Sequence, residues 1–541
     1  MLAAVRHWFA DNILELVRAM RLSYLPPLLV YAAAGVSGLT EIVGTFFVKE
    51  YLGLSAAFLA ALGFWAGIPW ALKMPLGHLV DLIWRYKAGL VWLGAGLIAT
   101  SLLIMLGMVA KPRRMAELMS LEAWFVVATL LSPVGYVLQD VVADAMTVEA
   151  VPRVNEHGQP LSPETRRLMN TTLQTLGRIA IIAGGILVSL VNVFMFQGTE
   201  TLVKEAKVGI YTEVFGMALV IPAISVAGVL LAALLKRFDA RRLRARGFDE
   251  TRLYGELEPP PDPVRPDWWI LGGSAVFVAI SLSVGLSGLA FGEEIIFAGS
   301  FAVIAFLMAR LLRALDVESR RTLLGTAIVI FVFRAMPGPG VGSTWWMIDV
   351  LGFDQSFLAQ LSLIASVLTL CGLFAFRRFM GERSIAYIVG FLTLTDALLS
   401  LPTLGMYFGL HEWTAAHTGG VIDARFIVLI DTALESPLGQ IAMVPMLAWI
   451  ANSAPANLKA TYFAVMASFT NLALSAAQLG TKYLNQFFEV SREIRDPQTH
   501  ALKVPADYSQ LGGLLTVSII LSLFMPFAAI WVTQRLKLRS A

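Results

Sequence analysis

The sequence predicts an all-α polytopic membrane protein. Hydrophobic residues make up 57% of the 541 residues, charged residues only 15%, and the mean hydropathy is +0.71. Apolar runs of about 20 residues, the length of a helix that crosses a bilayer, recur from Leu25 to Val532 and leave no room for a sizeable soluble domain. The net charge of +3 does not indicate nucleic-acid binding, because the basic residues stand in short loops, where they set membrane orientation.

Fourteen spans are predicted along the chain. A polar segment at 237–267, rich first in arginine and then in proline, has the composition of a linker and follows the sixth span. The spans are expected at about 25–49, 54–80, 88–110, 123–150, 168–196 and 209–236, then 268–290 and 293–313, then 322–349, 355–378, 385–409, 424–451, 459–487 and 510–534.

An internal repeat organises these spans. The run FFVKEYLGLSAAFLAAL, from Phe46, resembles WWMIDVLGFDQSFLAQL, from Trp345, and Ser132-Pro133 with its two following residues recurs at Ser436-Pro437 at nearly the same offset. Two matches in one order indicate duplicated six-helix halves. The sequence therefore predicts an N-terminal half at 1–236, a linker at 237–267, two inserted helices at 268–313 and a C-terminal half at 314–541.

The charges of the loops predict the orientation. Basic residues recur on one side, from Arg18 before the first span to Arg539 after the last, and Arg113 in the third loop is part of the one exception. By the positive-inside rule both termini are cytoplasmic, in a plasma (inner) membrane protein that we expect to act as a monomer. Residues 7–20 are amphipathic and predict an interfacial helix. The single cysteine, Cys371, excludes an intramolecular disulfide and is expected in the core.

Two carboxylates inside the fourth span are the most informative feature. Asp140 and Asp144 lie one helical turn apart and face nearly the same side. A carboxylate at the centre of a membrane helix costs roughly 2.5–3.5 kcal/mol, and it persists beside water or a partner charge. We interpret the pair as part of an aqueous, proton-coupled pathway, with Asp140 as the deeper coupling residue; the alternative is a hydrogen bond to a neighbouring helix.

Other polar residues in apolar runs extend this hypothesis. Glu41, in the first span, is a further candidate proton site. Lys73 is expected to neutralise an aspartate or to meet an anionic substrate, or else to reach the membrane interface. Arg178 and Arg334 are the best candidates for a substrate carboxylate, which a guanidinium binds in a bidentate way; pairing with acidic residues for stability is the alternative. Carboxylates of lower rank stand in later spans: Asp396, Asp431 and Glu435.

Prolines and tryptophans mark a further segment. Pro337–Gly340 reads PGPG and is expected to break a helix, either as a bending point or as a plain loop. Two pairs of tryptophans are predicted to belong to the aromatic belt at the membrane surface more readily than to stack on a substrate ring: Trp268 and Trp269, and Trp345 and Trp346.

The run GHLVDLIWRYK, from Gly77 to Lys87, resembles the loop motif of the major facilitator superfamily. This resemblance implies two six-helix halves that rock about a central site. In this motif Gly77 permits close helix approach, and Asp81 and Arg85 form a charge cluster that locks one conformation; we add Glu149, at the end of the fourth span, to this conformational gate. An ordinary basic loop is the alternative.

More specific motifs resemble the folate–biopterin transporter family. They are IPWALKMPLGHLVD from Ile68, PGPGVGSTWWMIDVLGFDQSFL from Pro337, and FIVLIDTALESPLGQIAMVP from Phe426 followed by KATYFAVMASFTN. The likeness covers most of residues 25–490 and implies a carrier of folates, pterins or related solutes. Lys459 departs from the acidic residue that this family often has, and QDVVADAMTVEAVP from Gln139 is also similar to the related muropeptide permease family. Both substrate classes therefore stay open.

Three classes of function compete. A secondary transporter fits the duplicated halves, and no ATP-binding glycine loop stands in the chain. A membrane-embedded enzyme needs a catalytic constellation, but the six histidines are scattered and Cys371 has no companion. A passive channel does not require duplicated halves. We therefore expect no catalytic residues, no metal and no cofactor, and a small-molecule substrate and the lipid bilayer as partners.

Overall fold

The fold is almost entirely helical, as the sequence predicts. A computed structural model describes residues 18–71, 73–151, 161–199, 204–245, 266–287, 289, 291–313, 315–439, 441, 459–495 and 502–540. Eleven helices in these ranges are long and apolar enough to cross a membrane. The predicted interfacial helix at 7–20 and most of the linker lie outside the described residues.

The N-terminal half contains ten helices in the described residues. The first span is two α-helices joined by a 3₁₀ turn, and the second is described as helix on both sides of residue 72, which lies outside the described residues. The helices are α1 Leu25–Gly35, α2 Glu41–Tyr51, α3 Ala56–Ala71, α4 Lys73–Leu82, α5 Ala88–Ala110, α6 Pro112–Leu118, α7 Leu121–Ala150, α8 Pro163–Met195, α9 Lys204–Ala218 and α10 Val220–Ala245. Helix α10 continues into the predicted linker, so its last turns extend beyond the predicted boundary at 236.

The inserted pair and the C-terminal half follow. The helices are α11 Trp268–Ser287, α12 Gly292–Leu312, α13 Val317–Arg334, α14 Val341–Asp349, α15 Gln355–Ala375, α16 Arg377–Glu382, α17 Ile385–Tyr407, α18 Leu410–His417, α19 Ala424–Glu435, α20 Lys459–Phe487 and α21 Leu511–Arg535. Two short antiparallel strands, β1 Ile494–Arg495 and β2 Leu502–Val504, form a hairpin between α20 and α21. The remainder of the predicted span at 424–451 lies largely outside the described residues.

Side-chain caps define several helix starts. An oxygen of the preceding residue accepts a bond from a backbone N–H of the first turn, which satisfies donors that have no partner inside the helix. The capping residues are Ser120, Ser162, Asp316, Asp354, Ser384 and Asp423. Four of these caps begin helices of the C-terminal half, where caps and turns agree closely with the predicted boundaries.

Contacts between loops define two faces of the molecule. The Ser23 hydroxyl donates to the Ala150 carbonyl, and the backbone N–H of Asp267 donates to His78. The Arg539 guanidinium donates to Glu318. We call the side on which these helix ends lie the proximal face. The opposite side, with the loop at 52–55 and the β-hairpin, is the distal face.

The halves meet along two seams. Helix α3 packs on α20, and α8 packs on α15. The first seam is close because Gly63 and Gly67 face α20; a Cβ on either would come within 2.8 Å of Gln478 and 2.9 Å of Ser475, respectively. The inserted pair covers this seam, since α12 packs on α20 and α11 on α4. The predicted boundaries of the inserted pair remain a prediction, but the pair is in contact with both halves.

The PGPG segment breaks the ninth predicted span between α13 and α14, as predicted. Its backbone finds partners on the last two spans: the N–H of Gly338 donates to Thr481, and Ser518 donates to the Pro337 carbonyl. Gly340 has φ of +72°, a conformation that favours glycine. The exposed backbone polar groups of this break are therefore satisfied inside the protein, which a break in a membrane span requires.

Three expectations about single side chains had different outcomes. Trp268 and Trp269 are exposed on the surface of the helices, in agreement with an aromatic belt. Trp345 and Trp346 are instead buried in the C-terminal half, with 2% and 3% of their surface exposed, so the belt prediction is wrong for them. Cys371 is exposed and not a core residue.

Candidate functional site

The N-terminal half places a lysine between two aspartates. The Lys73 ammonium lies 2.6 Å from Asp140 Oδ2 and 2.9 Å from Asp144 Oδ2. Lys73 is the first described residue of α4 in the second span, and the two aspartates are one turn apart on α7. The fold thus combines three predicted site residues into one ion cluster, which we call the lysine–aspartate cluster.

A tyrosine that sequence analysis missed completes this cluster. The Tyr31 hydroxyl, on α1, donates to Asp144 Oδ1 at 2.6 Å, and the side chain is only 6% exposed. Tyr31 stands in an ordinary apolar run, LPPLLVYAAAG. The one available signal was that a tyrosine hydroxyl buried in a membrane span needs a hydrogen-bond partner. The sequence does not indicate which helix supplies that partner.

The two aspartates face a space inside the helices. Side-chain exposure is 21% for Asp140 and 36% for Asp144. Their neighbours on this part of α7 are buried: Val137, Leu138, Gln139, Val141, Val142, Ala143, Ala145, Met146 and Thr147. A lipid-facing helix would expose apolar neighbours one turn away, so the accessible surface of the two carboxylates belongs to an interior space. A hydrated interior is the setting in which charges inside a membrane persist.

Two arginines lie near this cluster, one from each half. Arg178, on α8, is within electrostatic range of Asp140 and of Arg334, at the end of α13. Both side chains are partly exposed, yet Nε of Arg334 is buried without a hydrogen-bond partner. Within the described ranges neither guanidinium has an ion pair. The two residues predicted to bind substrate are therefore close together, with donors available.

Glu41 lies apart from the lysine–aspartate cluster. It begins α2, where the first span changes from 3₁₀ to α-helix, and its side chain is exposed beside Gly38. It is about fifteen ångströms along the span from Tyr31, at 1.5 Å per residue. Its predicted role in proton coupling is not supported by contact with the other candidates.

The predicted conformational gate is rearranged in the structure. Glu149 pairs with Lys87, whose ammonium also lies 3.9 Å from the Trp84 ring centroid, and with Lys236 at 3.5 Å. A Cβ on Gly77 would meet no atom within 4 Å, so close helix approach does not explain this glycine.

The two other gate residues form no such cluster. Arg85 is exposed, and in the described part of the chain neither Arg85 nor Asp81 forms an ion pair. Glu149 therefore pairs with Lys87, which lies two residues after the predicted Arg85. Sequence spacing could not distinguish them, because both belong to one short turn at the end of the second span.

Three carboxylates of lower rank form a separate group in the C-terminal half. Glu435 is within electrostatic range of both Asp396 and Asp431, and Asp396 bonds to Ser522 of α21. Asp431 lies at the edge of an apolar groove between α17 and α19, and its Oδ1 is buried with no hydrogen-bond partner among the residues that the structure describes. Among the described residues no group of His, Cys, Asp and Glu has a metal-binding arrangement.

Residues 34–537 match the BT1 family. The protein belongs to the BT1 family. A curated relative, the folate-biopterin transporter of Synechocystis sp. (strain ATCC 27184 / PCC 6803 / Kazusa), is 23% identical over 447 residues, which are 82% of this chain and 71% of the relative. The family resemblance predicted from the motifs is thus confirmed.

Solved structures with the same architecture are transporters of the POT family. A peptide transporter in complex with alafosfalin has a TM-score of 0.59 and 14% identity, with 96% of each chain covered. A POT transporter in complex with 5-aminolevulinic acid has a TM-score of 0.58 and 13% identity, with 95% of this chain and 96% of the other covered. At this identity the likeness concerns the fold, and it confirms the predicted major facilitator-like architecture.

Proposed function

We propose that the protein is a secondary transporter that moves a small anionic solute, of the folate or pterin kind, across the membrane by alternating access. The central observation is the pair of guanidinium groups, Arg178 and Arg334, beside the lysine–aspartate cluster and on opposite halves. A solute bound by both would link the halves, so its binding would favour closure around it.

The charge balance of this region supports an anionic solute. When all groups are ionised, Asp140 and Asp144 supply two negative charges, while Lys73, Arg178 and Arg334 supply three positive ones. One positive charge is therefore in excess. A carboxylate neutralises it with charge-assisted hydrogen bonds, which are strong in a site of low dielectric constant. A cationic solute would add to the repulsion between the two arginines.

Proton coupling is proposed from the shared lysine. Lys73 contacts both aspartates, so protonation of one carboxylate would leave Lys73 with the other and remove one negative charge from the region. The excess of positive charge would then grow, and an anion would bind more tightly. In this scheme a bound proton raises the affinity for the anion, and by thermodynamic linkage a bound anion raises the affinity for the proton by the same factor.

A muropeptide permease, or a carrier of another anionic solute in the same superfamily, is the second candidate. It shares the need for guanidinium groups, and the QDVVADAMTVEAVP segment supports it. A membrane-embedded enzyme is a weaker candidate, because the curated relative is a transporter and the site offers no activated nucleophile. A chemically altered product after uptake would favour the enzyme.

We further propose a plasma (inner) membrane location, cytoplasmic termini and a functional monomer. The basic loops on the proximal face support this orientation. Reporter fusions after Arg246 and after Arg539 test it: both should report a cytoplasmic position. An external position of either reporter contradicts the proposed orientation.

Ligand-dependent thermal stability tests the solute class. Folates, pterins, muropeptides and an uncharged pterin are added in turn to purified protein, since a ligand that binds only the folded state raises its stability with concentration. We expect stabilisation by the anionic folate or pterin and less by the uncharged analogue. Arg241→Lys, on the exposed end of α10, is the matched control for substitutions at Arg178 and Arg334. Stabilisation by muropeptides alone would select the second candidate.

A further inference from the structure

The loop between the last two spans forms a structured cover on the distal face. We call residues 488–495 and 502–510 the distal hairpin. Besides β1 and β2, Ser491 and Asp507 exchange two backbone hydrogen bonds of 3.0 and 2.9 Å. Val490 is buried against Gly342 of α14, and the Tyr407 hydroxyl donates to the Tyr508 carbonyl at 3.0 Å. The hairpin is thus anchored to the C-terminal half.

Arg492 projects from this hairpin into the other half. It is only 1% exposed, and its Nη2 donates to the carbonyl of Leu52, the residue that ends the first span. Its guanidinium carbon lies 4.3 Å from the centroid of the Trp345 ring. Burial lowers the pKa of Arg492 to about 10, so the side chain remains charged at neutral pH. One side chain therefore joins a backbone group of the N-terminal half to an aromatic ring of the C-terminal half.

An ion pair crosses the halves beside it. The Lys49 ammonium, near the end of α2, bonds to Asp349 Oδ1 at the end of α14. The Tyr508 hydroxyl, from the hairpin, donates to Asp349 Oδ2. Lys49 and Asp349 lie in the two segments that the predicted internal repeat relates, so the ends of the first and ninth predicted spans meet here. The hairpin fixes the acceptor of this pair as well as supplying Arg492.

We propose that the distal hairpin is a latch that holds the two halves together on the distal face, with Arg492 and the Lys49–Asp349 pair as its two fastenings. This inference rests on the proposed alternating access. Separation of the halves on this face requires Arg492 to leave the Leu52 carbonyl and Lys49 to leave Asp349.

The closed state of the latch contains both favourable and unfavourable interactions, so the latch can open. Nε and Nη1 of Arg492 are buried without hydrogen-bond partners in the described part of the chain. A buried donor without a partner costs free energy that exposure to water would recover. The stacking on Trp345 and the ion pair favour closure, whereas the two unsatisfied donors favour opening. Opposed contributions of this kind keep a conformational equilibrium within reach of a ligand.

Distance measurement between the halves tests the latch without any solute. Spin labels at Gly53→Cys and Val350→Cys, in a Cys371→Ser background, report the distal separation in reconstituted full-length protein. A Cβ at Gly53 meets only Glu122, at 4.0 Å, and Val350 is 57% exposed, so both positions accept a label. We expect a predominantly short distance in the parent protein. Arg492→Ala or Lys49→Ala should raise the ratio of long to short distances about tenfold, the change expected for loss of one hydrogen bond that involves a charged group.

Two further variants make the result specific. The exchanged pair Lys49→Asp with Asp349→Lys should restore the short distance. Arg425→Ala is the matched control: this arginine is on the same face, but its described contacts, with Asp354, Gly352 and the Phe357 ring, all lie in the same half, so the distances should not change.

Unchanged distances in folded Arg492→Ala and Lys49→Ala proteins, judged by their melting curves, would overturn the latch. An equal shift in Arg425→Ala would also overturn it, because the effect would then be general to this face. Neither outcome depends on solute transport, so failure of the latch and failure of the proposed transport function are separate results.

Discussion

In the N-terminal half, Asp140 and Asp144 share the ammonium of Lys73. Three carboxylates in predicted spans of the C-terminal half have no cation in electrostatic range among the described residues: Asp396, Asp431 and Glu435. The sequence repeat predicts that the two halves are duplicates, yet the charges within their spans have different surroundings. A shared order of helices therefore does not by itself require shared charge chemistry.

This difference also separates the possible roles of the two groups. Because Lys73 contacts both aspartates, binding of a proton or a solute to one member of the lysine–aspartate cluster changes the electrostatic environment of the others. An unpaired group beside an apolar groove, such as that around Asp431, lacks this partner. This difference supports our proposal that ion coupling belongs to the lysine–aspartate cluster of the N-terminal half, with Arg334 of the C-terminal half as the second substrate contact.

The largest expected effect is that of Asp140→Asn. Because this change removes one of the two titratable partners of Lys73, it should abolish solute accumulation driven by a proton gradient and preserve solute exchange at equal pH. Uptake into proteoliposomes with and without the gradient measures both. Asp431→Asn is the matched control and should keep accumulation. Accumulation by the Asp140→Asn protein would assign a structural role to this residue and make Glu41 the next candidate.

Lys73→Met should lower the stability of the protein most clearly. Loss of one partner of a buried ion pair typically costs roughly 3–5 kcal/mol, and the 18% exposure of the Lys73 side chain places the expected loss nearer the lower end. Thermal unfolding in detergent measures this effect. The double variant with Asp140→Asn should recover part of the loss, since fewer uncompensated carboxylates remain. Equal stability of Lys73→Met and the parent would show that the cluster is well hydrated.

Arg178→Lys and Arg334→Lys should each raise the half-saturation concentration for uptake about tenfold, because a lysine cannot bind a carboxylate in the bidentate way. Initial rates over a range of solute concentrations provide the measurement. Arg241→Lys should leave the kinetics unchanged. If both variants show parental kinetics, the two arginines do not contact the solute, and the proposal that one solute is bound by both halves is contradicted.

Tyr31→Phe is expected to have the smallest effect. It removes a single hydrogen bond to Asp144, which typically contributes about 1 kcal/mol or somewhat more when the acceptor is charged. A modest fall in melting temperature, with the maximal uptake rate largely retained, is the expected result. Complete loss of coupled uptake would instead give this hydroxyl a direct part in proton transfer.

The course of the fold follows from local properties of the sequence. Runs of apolar residues and the polar segments between them predicted the order of the helices, because each span must satisfy its backbone hydrogen bonds within itself. The break at PGPG was also local, since proline removes a donor and glycine tolerates positive φ. The apolar run did not predict how far α10 extends, because the basic residues that follow the run continue the helix.

The sequence predicted most of the residues of the candidate site but not which of them are in contact. The cost of embedded charges identified Lys73, Asp140 and Asp144 without any knowledge of their neighbours. Tyr31 was missed, since nothing in its surroundings distinguishes it from a packing residue. Arg492 was missed for a related reason: an arginine in a loop is ordinary, and its burial depends on a residue of the opposite half.

The sequence by itself determined that this chain crosses the membrane many times and that charges lie within its spans, because these follow from the hydropathy and order of residues; the duplication of its halves stays a prediction from the repeat. Only the tertiary structure decided which charges meet. Lys73 and Asp140 stand on different helices, as do Lys49 and Asp349. Their pairing depends on the rotation and packing of whole helices, which side-chain volumes across the protein determine together.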